Sequence, residues 1–95
     1  SMLRDKQALI DISTAIQQTL LYAQGIDRSN LQKDDEKQSA ILYRLIIIGE
    51  ATKRLSDKFR DQYPMTPWRQ MAGEYYKIAL YGEDVLQKIF KIKIG

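Results

Sequence analysis

Ninety-five residues carry fifteen Lys+Arg and twelve Asp+Glu, a net charge of +3, with 44% hydrophobic and 28% charged residues. A chain of this length makes one domain, taken as residues 2–95, that buries about 60–65% of the surface its unfolded form exposes. The absence of histidine and cysteine excludes an imidazole base, a thiol nucleophile, a disulfide and a Cys/His zinc site; any catalysis falls to Asp, Glu, Lys, Arg, Tyr, Ser or Thr, and no metal or cofactor is expected.

From Leu3 to about Gln24, the apolar residues Leu9, Ile12, Ile16, Leu20 and Ala23 step by three or four and predict one face of a helix, closed by Gly25 in the left-handed conformation. The polar stretch 26–35 reads as a connection, with Asp34 or Asp35 capping the next helix. That helix, roughly Glu36 to Leu55, has Ile41, Leu45, Ile48 and Leu55 as its central stripe. Ala40, Leu42, Ile46, Ile47, Gly49 and Ala51 widen the apolar arc, and only a strip with Glu36, Tyr43, Glu50 and Arg54 is left for water. A helix so apolar needs cover on two sides, and the second cover is expected to be another subunit, with Gly49 admitting a close backbone.

Ser56 caps a short helix through Lys58 and Arg60, and Thr66-Pro67 starts the next, which runs to about Tyr81 with Trp68, Met71, Ala72, Tyr75, Ile78 and Ala79 inward. A last helix opens at Glu83 or Asp84 and carries Val85, Leu86, Ile89, Phe90 and Ile92. The fold class is all-α, a bundle of four to five helices. The longest apolar run, Leu45 to Ile48, is too short to span a bilayer, and no signal-peptide pattern is present, so no membrane and a cytoplasmic location are expected. Ser1, ahead of Met2, is read as a tag remnant.

The string Asp35-Glu36-Lys37, Arg44 to Ser56 (RLIIIGEATKRLS), Pro67-Trp68 and Met71-Ala72-Gly73 resembles the HepT-like branch of the HEPN (higher eukaryotes and prokaryotes nucleotide-binding) superfamily. The likeness runs from the first helix to the last. It implies a helical bundle that homodimerises, here through the 36–55 and 67–81 helices, and acts as the toxin of a toxin–antitoxin pair whose antitoxin is a minimal nucleotidyltransferase. Family toxins are metal-independent ribonucleases with an R-x(4–6)-H motif just after the Ala-Gly pair, two such motifs facing each other across the dimer. In some members the partner adenylylates a tyrosine two residues beyond the histidine.

Here that motif is altered. After Ala72-Gly73 the chain reads Glu74-Tyr75-Tyr76-Lys77-Ile78-Ala79-Leu80-Tyr81. Tyr75 stands where the family's arginine belongs and Leu80 where its histidine belongs, with about two residues missing before Gly82. Losing the general acid or base forfeits about 10²–10⁴ in rate, and losing the cationic clamp a comparable factor. Tyr75 falls at the centre of an apolar arc, as in a site rebuilt as core.

The candidate cleft residues are Arg44, Glu50, Arg69 and Lys77, and Tyr81 is the candidate modified tyrosine. Each also has a plainer reading. Arg44 faces a phosphate or an interface, or snorkels to a carboxylate such as Glu50 of a neighbouring subunit. Glu50 reads as an ion-pair partner rather than an acid catalyst, and Tyr81 equally as an ordinary surface tyrosine. Tyr75 and Tyr76 beside Lys77 stack bases or fill the core. Lys53, Arg54, Lys58 and Arg60 form the densest basic stretch, but Asp57 and Asp61 interleave with it and make a solvated face. Trp68 anchors its helix against the first two long ones. The leading reading is a protein that has lost the ribonuclease motif and keeps dimerisation and partner binding. Two alternatives stay open: a ribonuclease with a histidine-free site, in which Arg44, Arg69, Lys77 and the tyrosines act, and a nucleotide- or RNA-binding module in the same cleft.

Overall fold

The computed structural model describes residues 1–73, which form five helices and, among the described residues, no strand: α1 (Met2–Ala23), α2 (Arg28–Lys33), α3 (Asp35–Arg54), α4 (Asp57–Asp61) and α5 (Trp68–Gly73). No helix among the described residues is long and apolar enough to cross a membrane. The all-α bundle is thus present. The expected course of the 67–81 helix beyond Gly73, and the whole of the last helix, lie outside the described residues.

The two long helices, roughly 33 and 30 Å by their residue counts, pack antiparallel as a hairpin. At one end the Asp5 carboxylate accepts from the Ser56 backbone N–H at 2.8 Å and from its hydroxyl at 2.7 Å. Further along, Arg54 pairs with Asp11. At the other end the Lys37 ammonium donates to the Tyr22 carbonyl at 3.1 Å, which supplies the positive charge that the last turn of α1 lacks.

The core stripe of α3 is as expected: Ile41, Leu45, Ile48 and Leu55 are all buried. The stripe of α1 is so only in part: Ile12 and Ala23 are buried and Ile16 packs against the core. Its buried residues are Ala8, Ile12, Ala15, Thr19 and Ala23, whereas Leu9 and Leu20 are 36% and 42% exposed. The reason is complementary volume: α3 already supplies four large aliphatic side chains, so α1 approaches with its small face. Thr19 and Thr52 enter this core because each hydroxyl donates to the carbonyl four residues earlier, at 2.8 and 2.7 Å, and so goes in satisfied.

Gly25 closes α1 with φ +72°, the left-handed conformation for which glycine carries no Cβ penalty. The stretch that follows is more than a connection. Asp27 accepts from the Asn30 N–H at 2.8 Å and caps α2, while Ile26 and Leu31 are buried against the hairpin. Asp34, of the two candidates, caps α3 through the Lys37 N–H at 2.9 Å. The Ser1 hydroxyl accepts from the Arg4 N–H and caps α1.

Ser56 caps α4 as expected. The next helix starts one residue after the expected proline, the Pro67 carbonyl taking the first bond from the Met71 N–H at 3.0 Å. Trp68 does anchor α5, but its hydrogen bonds go to the α4 end rather than to the long helices. Its indole N–H is shared between the carbonyls of Arg60 and Tyr63, 3.1 Å from each, and its ring meets Phe59 edge-on at 6.2 Å. Met71 reaches the core and α5 packs on α3. The apolar arc of α3 is therefore covered within the chain by α1, α2 and α5, leaving Tyr43 and Ile46 as its exposed hydrophobics.

Candidate functional site

Arg44 lies on α3 at the flank of the buried stripe, next in sequence to Leu45, so its aliphatic stem is drawn toward the core while its head reaches the side of the hairpin. The guanidinium carbon sits 5.2 Å from the ring centre of Tyr43 and 6.0 Å from that of Tyr22. Tyr43 comes from the same helix, Tyr22 from the last turn of α1, and Lys37, two turns earlier on α3, holds the Tyr22 carbonyl. Two aromatic faces and two cations thus gather where the end of α1 passes the first half of α3.

The Arg44 guanidinium lies beside both rings. Its Nε–H is buried and is the one side-chain polar atom without a partner among the buried groups of the described residues. A buried, unmatched donor costs about 1–3 kcal/mol, and cation–π contact at partly exposed sites returns about 0.5–1 kcal/mol for a ring. An oxyanion from solvent does not reach that buried Nε–H as it stands, so the cluster is first of all a packing of cation against aromatic rings.

The other candidates are dispersed. Glu50 is exposed and pairs with Lys53 at 3.3 Å. Arg69 is exposed on α5. No hydrogen bond or ion pair among the described residues joins Arg44, Glu50 and Arg69. Tyr75, Tyr76, Lys77, Leu80 and Tyr81 lie outside the described residues. The basic stretch is largely matched by carboxylates: Lys53 with Glu50, Arg54 with Asp11, and Arg60 with Asp57 at 2.6 Å. An open groove of about 510 Å³ lies between the start of α1 and α4, with Met2, Leu9 and Phe59 among its walls. Of its polar lining, Asp5 and Ser56 are bonded to each other, and Lys6, Lys58 and Gln62 stand around them.

Sequence reasoning singled out Arg44 but neither of its aromatic neighbours. Tyr43 was placed correctly on the watery strip of α3, where it is 58% exposed. Tyr22 is a neighbour only through the hairpin register, which no local spacing discloses.

A family model described as ribonuclease HepT-like matches residues 12–74. Among curated proteins, one named "Probable ribonuclease HepT" from Thermococcus cleftensis is 35% identical over 82 residues, covering 84% of this chain and 74% of that protein. A protein from Methanocaldococcus jannaschii that carries an RNase name is 31% identical over 71 residues, covering 74% of this chain and 65% of its own length. Another, from Caldanaerobacter subterraneus subsp. tengcongensis, also with an RNase name, is 38% identical over 74 residues, 68% of this chain and 66% of its own. The aligned part of the chain thus spans between about two thirds and three quarters of these relatives. No solved structure matches at a comparable level. The chain therefore belongs to the HepT-like ribonuclease family of the HEPN superfamily.

Proposed function

We propose that this chain is a single-domain HepT-like protein whose ribonuclease motif has been lost, and that it works in the cytoplasm as a dimerising, partner-binding protein for a minimal nucleotidyltransferase antitoxin. The observation that carries this reading is the identity of two residues in a chain without histidine. Tyr75 and Leu80 occupy the positions of the motif's arginine and histidine. The cluster around Arg44 supports it as well, since it offers cationic and aromatic groups in a chain without histidine.

The test is a metal-free RNA cleavage assay on the purified protein beside a variant carrying Tyr75→Arg and Leu80→His. The unaltered chain is expected to leave RNA intact at every concentration tried, since a missing acid–base group and a missing clamp together cost roughly 10⁴-fold or more. Cleavage by the unaltered chain, abolished by Tyr75→Phe or Tyr81→Phe, would overturn the reading.

A second reading, an RNA- or nucleotide-binding module without chemistry, is favoured by one specific observation, the Arg44 guanidinium beside the rings of Tyr22 and Tyr43. Such binding weakens with added salt in proportion to the phosphates neutralised and is lost on Arg44→Met. Equal RNA affinity in both proteins would remove Arg44 from any nucleic-acid role.

A further inference from the structure

Residues 34–38 lie where three helices end. After the turn at Gly25 the Ile26 N–H goes to the Ala23 carbonyl at 3.2 Å, and the Gln24 N–H goes to the Leu21 carbonyl at 3.4 Å. The Tyr22 carbonyl, between these two, takes the Lys37 ammonium instead, at 3.1 Å. One residue on, the Gln38 amide donates to the carbonyls of Leu31 and Gln32 in the last turn of α2, at 2.8 Å each. The backbone of Lys37 is itself fixed, since its N–H donates to the Asp34 carboxylate that caps α3.

Lys37 and Arg44 are seven residues apart on α3, two turns and about 10 Å along its axis, and so share one side of the helix. Tyr22 spans that interval. Its carbonyl meets Lys37, and its ring centre lies 6.0 Å from the Arg44 guanidinium carbon. An aromatic side chain on a helix has few rotamers open to it, so a donor that fixes the Tyr22 carbonyl also fixes where the ring reaches. The Tyr43 ring needs no such help, because it stands on α3 beside Arg44.

The cluster does not hold itself in place. The cost of the unmatched Nε–H and the gain from the two ring contacts oppose each other and are of similar size. The place of the Tyr22 ring is therefore set from outside the cluster, and the charge-assisted bond from Lys37 is the contact that does so.

We infer that Lys37 is a positioning residue for Arg44: by holding the Tyr22 carbonyl it sets the Tyr22 ring beside the guanidinium, and with it the direction in which Arg44 points. Gln38, adjacent and also engaged, serves α2. Lys37 acts in this way whether Arg44 meets RNA, a protein partner or neither. Any binding that uses Arg44 then depends on a lysine that need not touch what is bound.

The experiment follows the Arg44 Nε–H in proton–nitrogen correlation spectra, where burial slows its exchange with water and its signal is identified by loss in Arg44→Lys. A nearby aromatic ring displaces such a signal, so Tyr22→Leu gives its position with that ring gone. Lys37→Met keeps the aliphatic stem and removes the donor, and is expected to move the signal most of the way to the Tyr22→Leu position. Lys37→Arg keeps a cationic donor and should leave the signal where the unaltered chain has it. Gln38→Leu should do the same, although it too strips a helix end of its donor. Circular dichroism verifies that each protein stays helical, and Lys37→Gln replaces Lys37→Met should that variant lose its helix. A signal that Tyr22→Leu moves and Lys37→Met does not overturns the inference. An equal displacement in Gln38→Leu also overturns it, since the signal would then report a general loosening of this end. So does a displacement that persists in Lys37→Arg, or a signal indifferent to Tyr22→Leu.

Discussion

Asp5 fastens the open end of the hairpin, opposite the turn at α2. Its two carboxylate oxygens take the Ser56 N–H and hydroxyl, and these bonds, the backbone one foremost, hold its pKa below the ordinary 3.8 against a smaller opposing effect of desolvation. The folded carboxyl therefore binds its proton less readily than the unfolded chain does. Its stabilisation is complete above the ordinary carboxylate range and is lost as pH falls through the lower folded value. Urea unfolding of Asp5→Asn beside the unaltered protein should show the variant less stable at pH 7 and the two midpoints converging as pH drops below 3.8. A gap that does not change with pH would mean that the charge of Asp5 plays no part. Nothing in the spacing of Asp5 announces this role, because its partner is 51 positions away. The environment of Arg44 was half legible for the same reason: Tyr43 adjoins it in sequence, while Tyr22 belongs to another helix.

At the level of the helices, what the sequence disclosed depends on how one-sided each helix is. The stripe of α3 was readable because Ile41, Leu45 and Ile48 recur on one side and polar residues on the other. Helix α1 carries apolar residues on three sides, and ranking them by size selected Leu9, Ile16 and Leu20 over the alanines that actually face α3. Choosing between the stripes requires knowing the volume of the opposite helix. Melting curves separate them. Ala15→Leu forces extra methylenes into a filled seam and should cost about 1–3 kcal/mol, while Leu20→Ala at a 42% exposed position should cost less than about 1 kcal/mol. The reverse order would restore the first stripe. Helix α2 escaped notice because six residues with a single buried leucine show no period. Its legible sign was the cap, Asp27 three residues ahead of Asn30.

Across the molecule as a whole, the two long helices are fastened at three places, and the fastenings differ in how much chain each encloses. Lys37 and Tyr22 are 15 residues apart, Arg54 and Asp11 43, and Ser56 and Asp5 51. Closing a loop costs entropy that grows with its length, so the turn end at α2 is the least demanding place for the helices to meet. Each contact made there shortens the loop left for the next. The hairpin thus behaves as a zipper that starts beside α2, runs toward Ser56, and opens from the chain's first residues. Amide exchange at low denaturant should be fastest in the first two turns of α1 and slowest around Ala15 and Thr19; uniform protection along α1 would rule the zipper out. The bond between Ser56 and Asp5 then does more than join two groups: as the last tooth to close, it reports that the whole length of the hairpin has already formed.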